Sequence, residues 1–194
     1  MSSDLEEAVK LGALMFVLRR QPRLHGMRAG LILGATVGFG FAALESAGYA
    51  FNAAVSTKGI DLRALLETEI LRGVLAPFGH GLWTAIAGGV LLTYRQLNGR
   101  FRFTTPVVGT YLGVSLLHAL WDSTHGIAIW LVARLSRTGL DKQLFAQGYI
   151  PRPTDQQEHL FTAFSVGGMV LVALLGIAWV RSLARRDPSW RNTP

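Results

Sequence analysis

Apolar residues along this chain gather into five runs, at about 5–18, 27–55, 73–94, 106–133 and 161–183, separated by polar connections. A helix needs about 20 predominantly apolar residues to cross a hydrocarbon core about 30 Å thick. The first run is short for that, and the fourth has a polar interruption at "DSTHG" that could break it. The pattern predicts an all-α fold: a polytopic transmembrane helix bundle with about five membrane segments. Residues 1–187 are expected to form one domain, followed by a basic tail at 188–194. The long polar connection at 136–159 has enough apolar residues for a short interfacial helix that covers a site or receives a substrate. Along the second run, Gly26, Gly30, Gly34, Gly38, Ala42, Ser46, Ala50 and Ala54 recur every four residues. Such a stripe lets a neighbouring helix backbone approach closely, which is how apolar helices associate in lipid.

Composition agrees with the pattern. Half of the residues are hydrophobic, 16% are charged and mean hydropathy is +0.33, too apolar for an ordinary soluble domain of 194 residues. Membrane lipid is therefore the first expected partner. Cysteine is absent, which excludes disulfides and thiolate metal sites. The net charge of +7 does not mark nucleic-acid binding, because the basic residues sit at the ends of apolar runs and not in one aromatic-interleaved patch. Grouping alternate connections places eleven arginines on one side and seven basic residues on the other, with Lys10 inside the first run. The richer side should be cytoplasmic, so the N-terminus faces outward and the C-terminus inward. The start of the chain lacks the order of a cleaved signal peptide, so the first run is expected to stay. The tail "RSLARRDPSW" should be drawn to anionic lipid.

The candidate chemistry begins with Glu45, in the middle of "GFGFAALESAGYAF". A lone acid at the centre of a membrane helix costs roughly 2.5–3.5 kcal/mol, so Glu45 needs a partner. The candidates are Glu6, Glu7 and Lys10 in "LEEAVKLG", His80 in "APFGHGLWT", and His118 with Asp122 in "LLHALWDS". At about 1.5 Å rise per residue, all of these fall in the outer half of the bilayer, at similar depth. Glu45, His80 and His118 offer one carboxylate and two imidazoles, the composition of a catalytic zinc site with an open position for water. Glu6 or Glu7 is placed to take the proton of that water. Lys10 lies one turn on and favours their ionised form, and Asp122, one turn after His118, is placed to orient it. Pro77 should kink the third helix just before His80.

Each feature also has a plainer explanation. Ser3-Asp4-Leu5-Glu6 fits a helix capping box. His118 with Asp122 fits an ordinary i, i+4 pair. His80 fits a bond to a carbonyl freed by Pro77. The tryptophans, Trp83 among them, are expected as packing and interfacial anchors.

Taken in order and spacing, "EEAVK", "GFGFAALESAGY", Arg72 through "PFGHGLWT", and "HALWD" resemble the motifs of the PrsW family of intramembrane proteases, over about residues 5–125. That family is grouped with CAAX-type prenyl endopeptidases and a scaffold subunit of gamma-secretase. The resemblance implies hydrolysis of a peptide bond in or near the membrane, in a single-pass membrane protein such as an anti-sigma factor. By position it maps the paired acids onto Glu6 and Glu7, the basic residue onto Lys10, the second-motif acid onto Glu45, and the histidines onto His80 and His118. Two departures stand out: Ser46 follows Glu45 where the family often has asparagine, and the chain begins five residues ahead of the paired glutamates, where relatives commonly have further helices. The expected function is an intramembrane peptidase using water activated by glutamate and histidine and bound to a divalent metal, zinc by composition. A metal-free version uses the same side chains. A scaffold or pseudoenzyme, or a small ion or proton transporter, would also retain these residues.

Overall fold

Over the described residues, the apolar runs fold as helices. A computed structural model describes residues 2–56, 59–60, 78–136, 147 and 152–187 of the chain. Its elements are α1 (Ser3–Leu18), α2 (Met27–Ala54), β1 (Val55–Ser56), β2 (Gly59–Ile60), α3 (His80–Thr93), α4 (Thr105–Ser136) and α5 (Asp155–Arg186). The all-helical expectation holds apart from one short antiparallel pairing, Val55 opposite Ile60 and Ser56 opposite Gly59.

The helix boundaries follow from local chemistry. Helix α1 starts one residue too early for a capping box at Ser3: Ser2 is the N-cap and makes no side-chain cap bond. The capping box of this chain is at α5 instead. There Thr154 Oγ1 accepts from the Gln157 N–H at 3.3 Å and Gln157 Oε1 accepts from the Thr154 N–H at 3.0 Å, which starts the helix ahead of its apolar run. Helix α4 runs unbroken through "DSTHG". Thr124 Oγ1 donates to the Trp121 carbonyl at 2.8 Å, so this hydroxyl is satisfied by its own helix and does not interrupt it. Helix α3 begins at His80, later than its apolar run; Pro77 and its expected kink lie outside the described residues, as do most of the 136–159 connection and the tail after Asp187.

Among the described residues, two helices are long and apolar enough to cross a bilayer: α2 over Met27–Gly48, and α5. This is fewer than the five spans expected. Helix α1 has 16 residues and α3 has 14, lengths of about 24 and 21 Å, and polar groups dilute the apolar character of α4. Large apolar side chains nevertheless stand outward along the helices, among them Phe16, Ile32, Leu44, Leu112, Leu116 and Leu171. A water-soluble bundle would turn such residues inward.

The chain divides into two compact units, one of Met1–Ala119 with Leu175–Pro194, the other of Leu120–Leu174. In the second, Gly168 packs against the Thr124 side chain and His125 lies on Phe161, with ring centroids 5.9 Å apart. In the first, α3 is buried continuously from Trp83 to Leu92, as expected for a helix enclosed on all sides.

The small-residue stripe of α2 is what lies on α3. Gly30 sits on the Gly88 carbonyl, Gly34 on the Thr84 carbonyl and Gly38 on the His80 carbonyl, so the two helices run antiparallel in a one-turn register. A Cβ at any of these positions would enter the facing backbone. The stripe continues through buried Ala42 and Ser46, which brings Glu45 to the start of α3, where His80 is. Gly34→Val is therefore expected to destabilise the fold by about 3 kcal/mol through overpacking. Gly40→Ala, with no atom within 4 Å of its new Cβ, should gain about 1 kcal/mol from helix propensity. Thermal unfolding of the two variants in detergent micelles checks both signs.

Arg95 closes the other end of this unit. Its guanidinium donates to the carbonyls of Leu18 (2.7 Å), Gln21 (3.0 Å), Leu24 (2.7 Å) and Gly99 (3.0 Å) and lies over the Phe101 ring. It thus satisfies the end of α1 and the connection to α2. Burial pushes its pKa down, and the four carbonyls compensate the charge. Next to it, Gly26 adopts φ 91° and its N–H donates to the Leu92 carbonyl at 2.9 Å, which turns the chain into α2.

Candidate active site

Four helices of the first unit each bring polar groups to one place. Helix α1 contributes Glu6, Glu7 and Lys10, α2 contributes Glu45, α3 contributes His80 and α4 contributes His118. Glu7 and Lys10 have fully buried side chains, those of His118 and Glu6 are 3% and 10% exposed, and those of His80 and Glu45 are 12% and 23% exposed. Glu45 is therefore at the rim and the α1 pair at the bottom.

The contacts form a chain. Lys10 Nζ donates to Glu7 Oε1 at 2.6 Å and is also 2.6 Å from His80 Nδ1. His80 Nε2 meets Glu45 Oε2 at 2.8 Å. Glu7 Oε1 is 3.0 Å from His118 Nδ1, and His118 Nε2 is 3.6 Å from Glu6 Oε2. These contacts allow the protons to be assigned from the network. An ammonium has only donors, so His80 Nδ1 accepts, and its proton is on Nε2, donated to Glu45. Glu7 has only acceptors when ionised, so His118 carries a proton on Nδ1, and its Nε2 faces Glu6. The 3.6 Å separation is too long for a hydrogen bond. Glu6 Oε2 and Glu7 Oε2 are both buried without a hydrogen-bond partner. Buried carboxylate oxygens in that state call for a cation, a proton or water.

One ligand atom each from Glu6, His80 and His118 lies within 4.8 Å of the other two. A carboxylate and two imidazoles so placed suit a divalent metal. The metal set read from the sequence has Glu45 where this group has Glu6; Glu45 is instead at hydrogen-bond distance from His80. Glu7 stands behind His118, as carboxylates do behind metal-binding histidines. Glu7 is thus placed to orient His118. Asp122 is exposed, in the second unit.

A family model described as PrsW family intramembrane metalloprotease matches residues 4–150, about three quarters of the chain. The chain belongs to the PrsW family. It is a PrsW-like membrane protease, and membership in a metalloprotease family implies a metal ion. Neither a curated protein nor a solved structure matches the chain. The PrsW match extends past the segment of resemblance, through α4 and into the following connection.

Trp83, which sequence reasoning left as packing, and Phe41, which it did not single out, line this cluster. Trp83 has no exposed surface and lies on the His118 ring, with centroids 4.6 Å apart and planes at 31°. Phe41 lies beneath Lys10 Nζ, 4.6 Å from its ring centroid, and beside His80, at 5.6 Å. The available signal was helical spacing: Trp83 is one turn after His80, and Phe41 one turn before Glu45.

Proposed function

We propose that this PrsW-family protease hydrolyses a peptide bond of a single-pass membrane protein, in the outer half of the bilayer, with Glu6, Glu7, His80 and His118 as its machinery. The reading extends to a multi-pass chain whose N-terminus is outside and whose C-terminus is cytoplasmic, with an anti-sigma factor as the type of substrate. The observation that carries it is the convergence of Glu6, His80 and His118 beside two buried carboxylate oxygens that lack hydrogen-bond partners.

Glu6, His80 and His118 would hold the metal, zinc by the nature of the donors. When bound, such an ion lowers the pKa of a coordinated water and polarises the substrate carbonyl. His118 presents Nε2 because Glu7 takes its Nδ1–H, and Glu7 Oε2 is the carboxylate oxygen left to receive a proton. Lys10 donates to Glu7 Oε1 and is at hydrogen-bond distance from His80 Nδ1, which leaves His80 Nε2 as the nitrogen shared with Glu45 at the rim. For His80 to serve as a ligand through Nε2, Glu45, the most exposed member of the cluster, has to release it, and the Nε2 proton has to move to Nδ1, which would require the Lys10 ammonium to turn away from Nδ1. A metal-free form uses the same groups; the Lys10 ammonium already places one positive charge between Glu7 and His80, which favours it.

The test is cleavage of a model single-pass substrate in liposomes. The native protein should cut it, and His118→Ala should lose about 10³-fold in rate. Loss of cleavage on chelation, with one zinc per chain by elemental analysis, marks the metal form. Cleavage that survives chelation marks the metal-free one. Equal cleavage by His118→Ala removes the cluster from catalysis. No cleavage by the native protein, with retention of a complex, replaces the peptidase with a scaffold.

A further inference from the structure

The contacts of the cluster fix which nitrogen of each histidine faces which partner, but a hydrogen bond at a ring edge leaves the ring plane free to tilt. The two imidazoles stand nearly perpendicular, at 85°, with centroids 5.0 Å apart. Trp83 occupies the corner between them. It is tilted by 31° against the His118 ring, with centroids 4.6 Å apart, and stands T-shaped to His80, at 75° and 5.8 Å. Its indole is fully buried, and its backbone belongs to the same helix as His80, one turn on, where its N–H donates to the Gly79 carbonyl at 3.1 Å. A rigid bicyclic wall that touches one ring by its face and the other by its edge leaves neither free to turn. The T-shaped contact with His80 is a geometry that aromatic quadrupoles favour.

We infer that Trp83 is a positioning residue for the hydrolysis, acting through His118 and His80 by fixing the planes of their rings at right angles. This rests on the peptidase reading above. The role explains why an indole lies in the middle of the polar cluster, against both imidazoles. It also makes a distinction that simple core filling does not: the aromatic face should matter more than the apolar volume.

The experiment compares Trp83→Phe and Trp83→Leu with the native protein, using the liposome substrate and histidine-ring resonances of selectively labelled protein. Misplacing catalytic groups by about 1 Å can cost about 10²-fold, so Trp83→Leu should lower kcat by about 30-fold with KM within twofold. Trp83→Phe should retain kcat to within about threefold. In the native protein the His118 ring protons should be shifted upfield by the indole. Trp83→Phe should keep part of that shift and Trp83→Leu should lose it. Should Trp83→Leu not fold, Trp83→Phe carries the test: a partial loss of ring shift with a small drop in kcat supports the role, and unchanged values of both overturn it. A folded Trp83→Leu with native kcat, or with native His118 resonances, overturns it as well. Absence of cleavage by the native protein overturns the peptidase reading and this role with it, whereas native cleavage with unimpaired Trp83→Leu overturns the role alone.

Discussion

Glu7→Gln is expected to lower kcat by about 10⁴-fold while leaving the helices assembled. Glu7 is the point where the two halves of the cluster meet: Oε1 takes both the Lys10 ammonium and His118 Nδ1, and Oε2 is buried without a partner. The amide oxygen of glutamine can still accept from both donors, so the geometry survives. What disappears is the anion. Without it, the tautomer of His118 that presents Nε2 is no longer favoured by charge, and the oxygen left to receive a proton becomes an amide nitrogen or a non-basic oxygen. Removing the anionic partner of a catalytic histidine costs about 10⁴-fold in the serine-protease triad, and a general base contributes about 10²–10⁴-fold. Single-turnover cleavage in liposomes, with thermal unfolding measured on the same preparation, checks both parts. A loss below tenfold in folded protein would remove Glu7 from the machinery and leave it as a structural acid.

How far this site was legible from the chain depended on what each residue type can do in lipid. Glu45, Glu6, Glu7, Lys10, His80 and His118 stood out because ionisable groups inside apolar runs are rare and need partners. The rise per residue placed them at a common depth, and the structure joins them through contacts of 2.6–3.6 Å. The glycine stripe announced a close helix contact, though not its partner; the one-turn register against α3, which sets Glu45 beside His80, needed the structure. Residue type could not say which acid joins the two imidazoles in the convergent group, because Glu6 and Glu45 are chemically alike and differ only in where α1 and α2 stop. The capping pattern at Ser3 misled for a related reason: a serine and a glutamate three residues on look the same whether the glutamate folds back on its helix or reaches across to a histidine. Trp83 and Phe41 were hidden because aromatic residues are common in apolar helices, and nothing in their spacing separates a wall around a polar site from ordinary packing. Arg95 was counted as one more interfacial charge, since its four carbonyl partners come from a connection whose path is not written in any local pattern.

Lys10→Met is expected to destabilise the fold by about 3–5 kcal/mol. Lys10 has no exposed side-chain surface, and its ammonium sits 2.6 Å from both Glu7 Oε1 and His80 Nδ1, with Phe41 beneath it. Methionine fills nearly the same volume, so little of the loss comes from packing. It comes from Glu7, left as a buried anion without its ammonium partner, and from His80, which loses the donor that sets its tautomer. The double variant Lys10→Met with Glu7→Gln separates these effects. With no charge left at the bottom of the cluster, it should recover most of the lost stability, because replacing both members of a buried ion pair costs far less than removing one. It should remain as inactive as Glu7→Gln alone. Thermal unfolding in micelles measures the first and liposome cleavage the second. If the double variant is as unstable as Lys10→Met, the cost lies in the shape of the lysine side chain and not in the orphaned charge. If it regains activity along with stability, the pair only holds the helices together, and the proton chemistry has to be sought at Glu6 and Glu45.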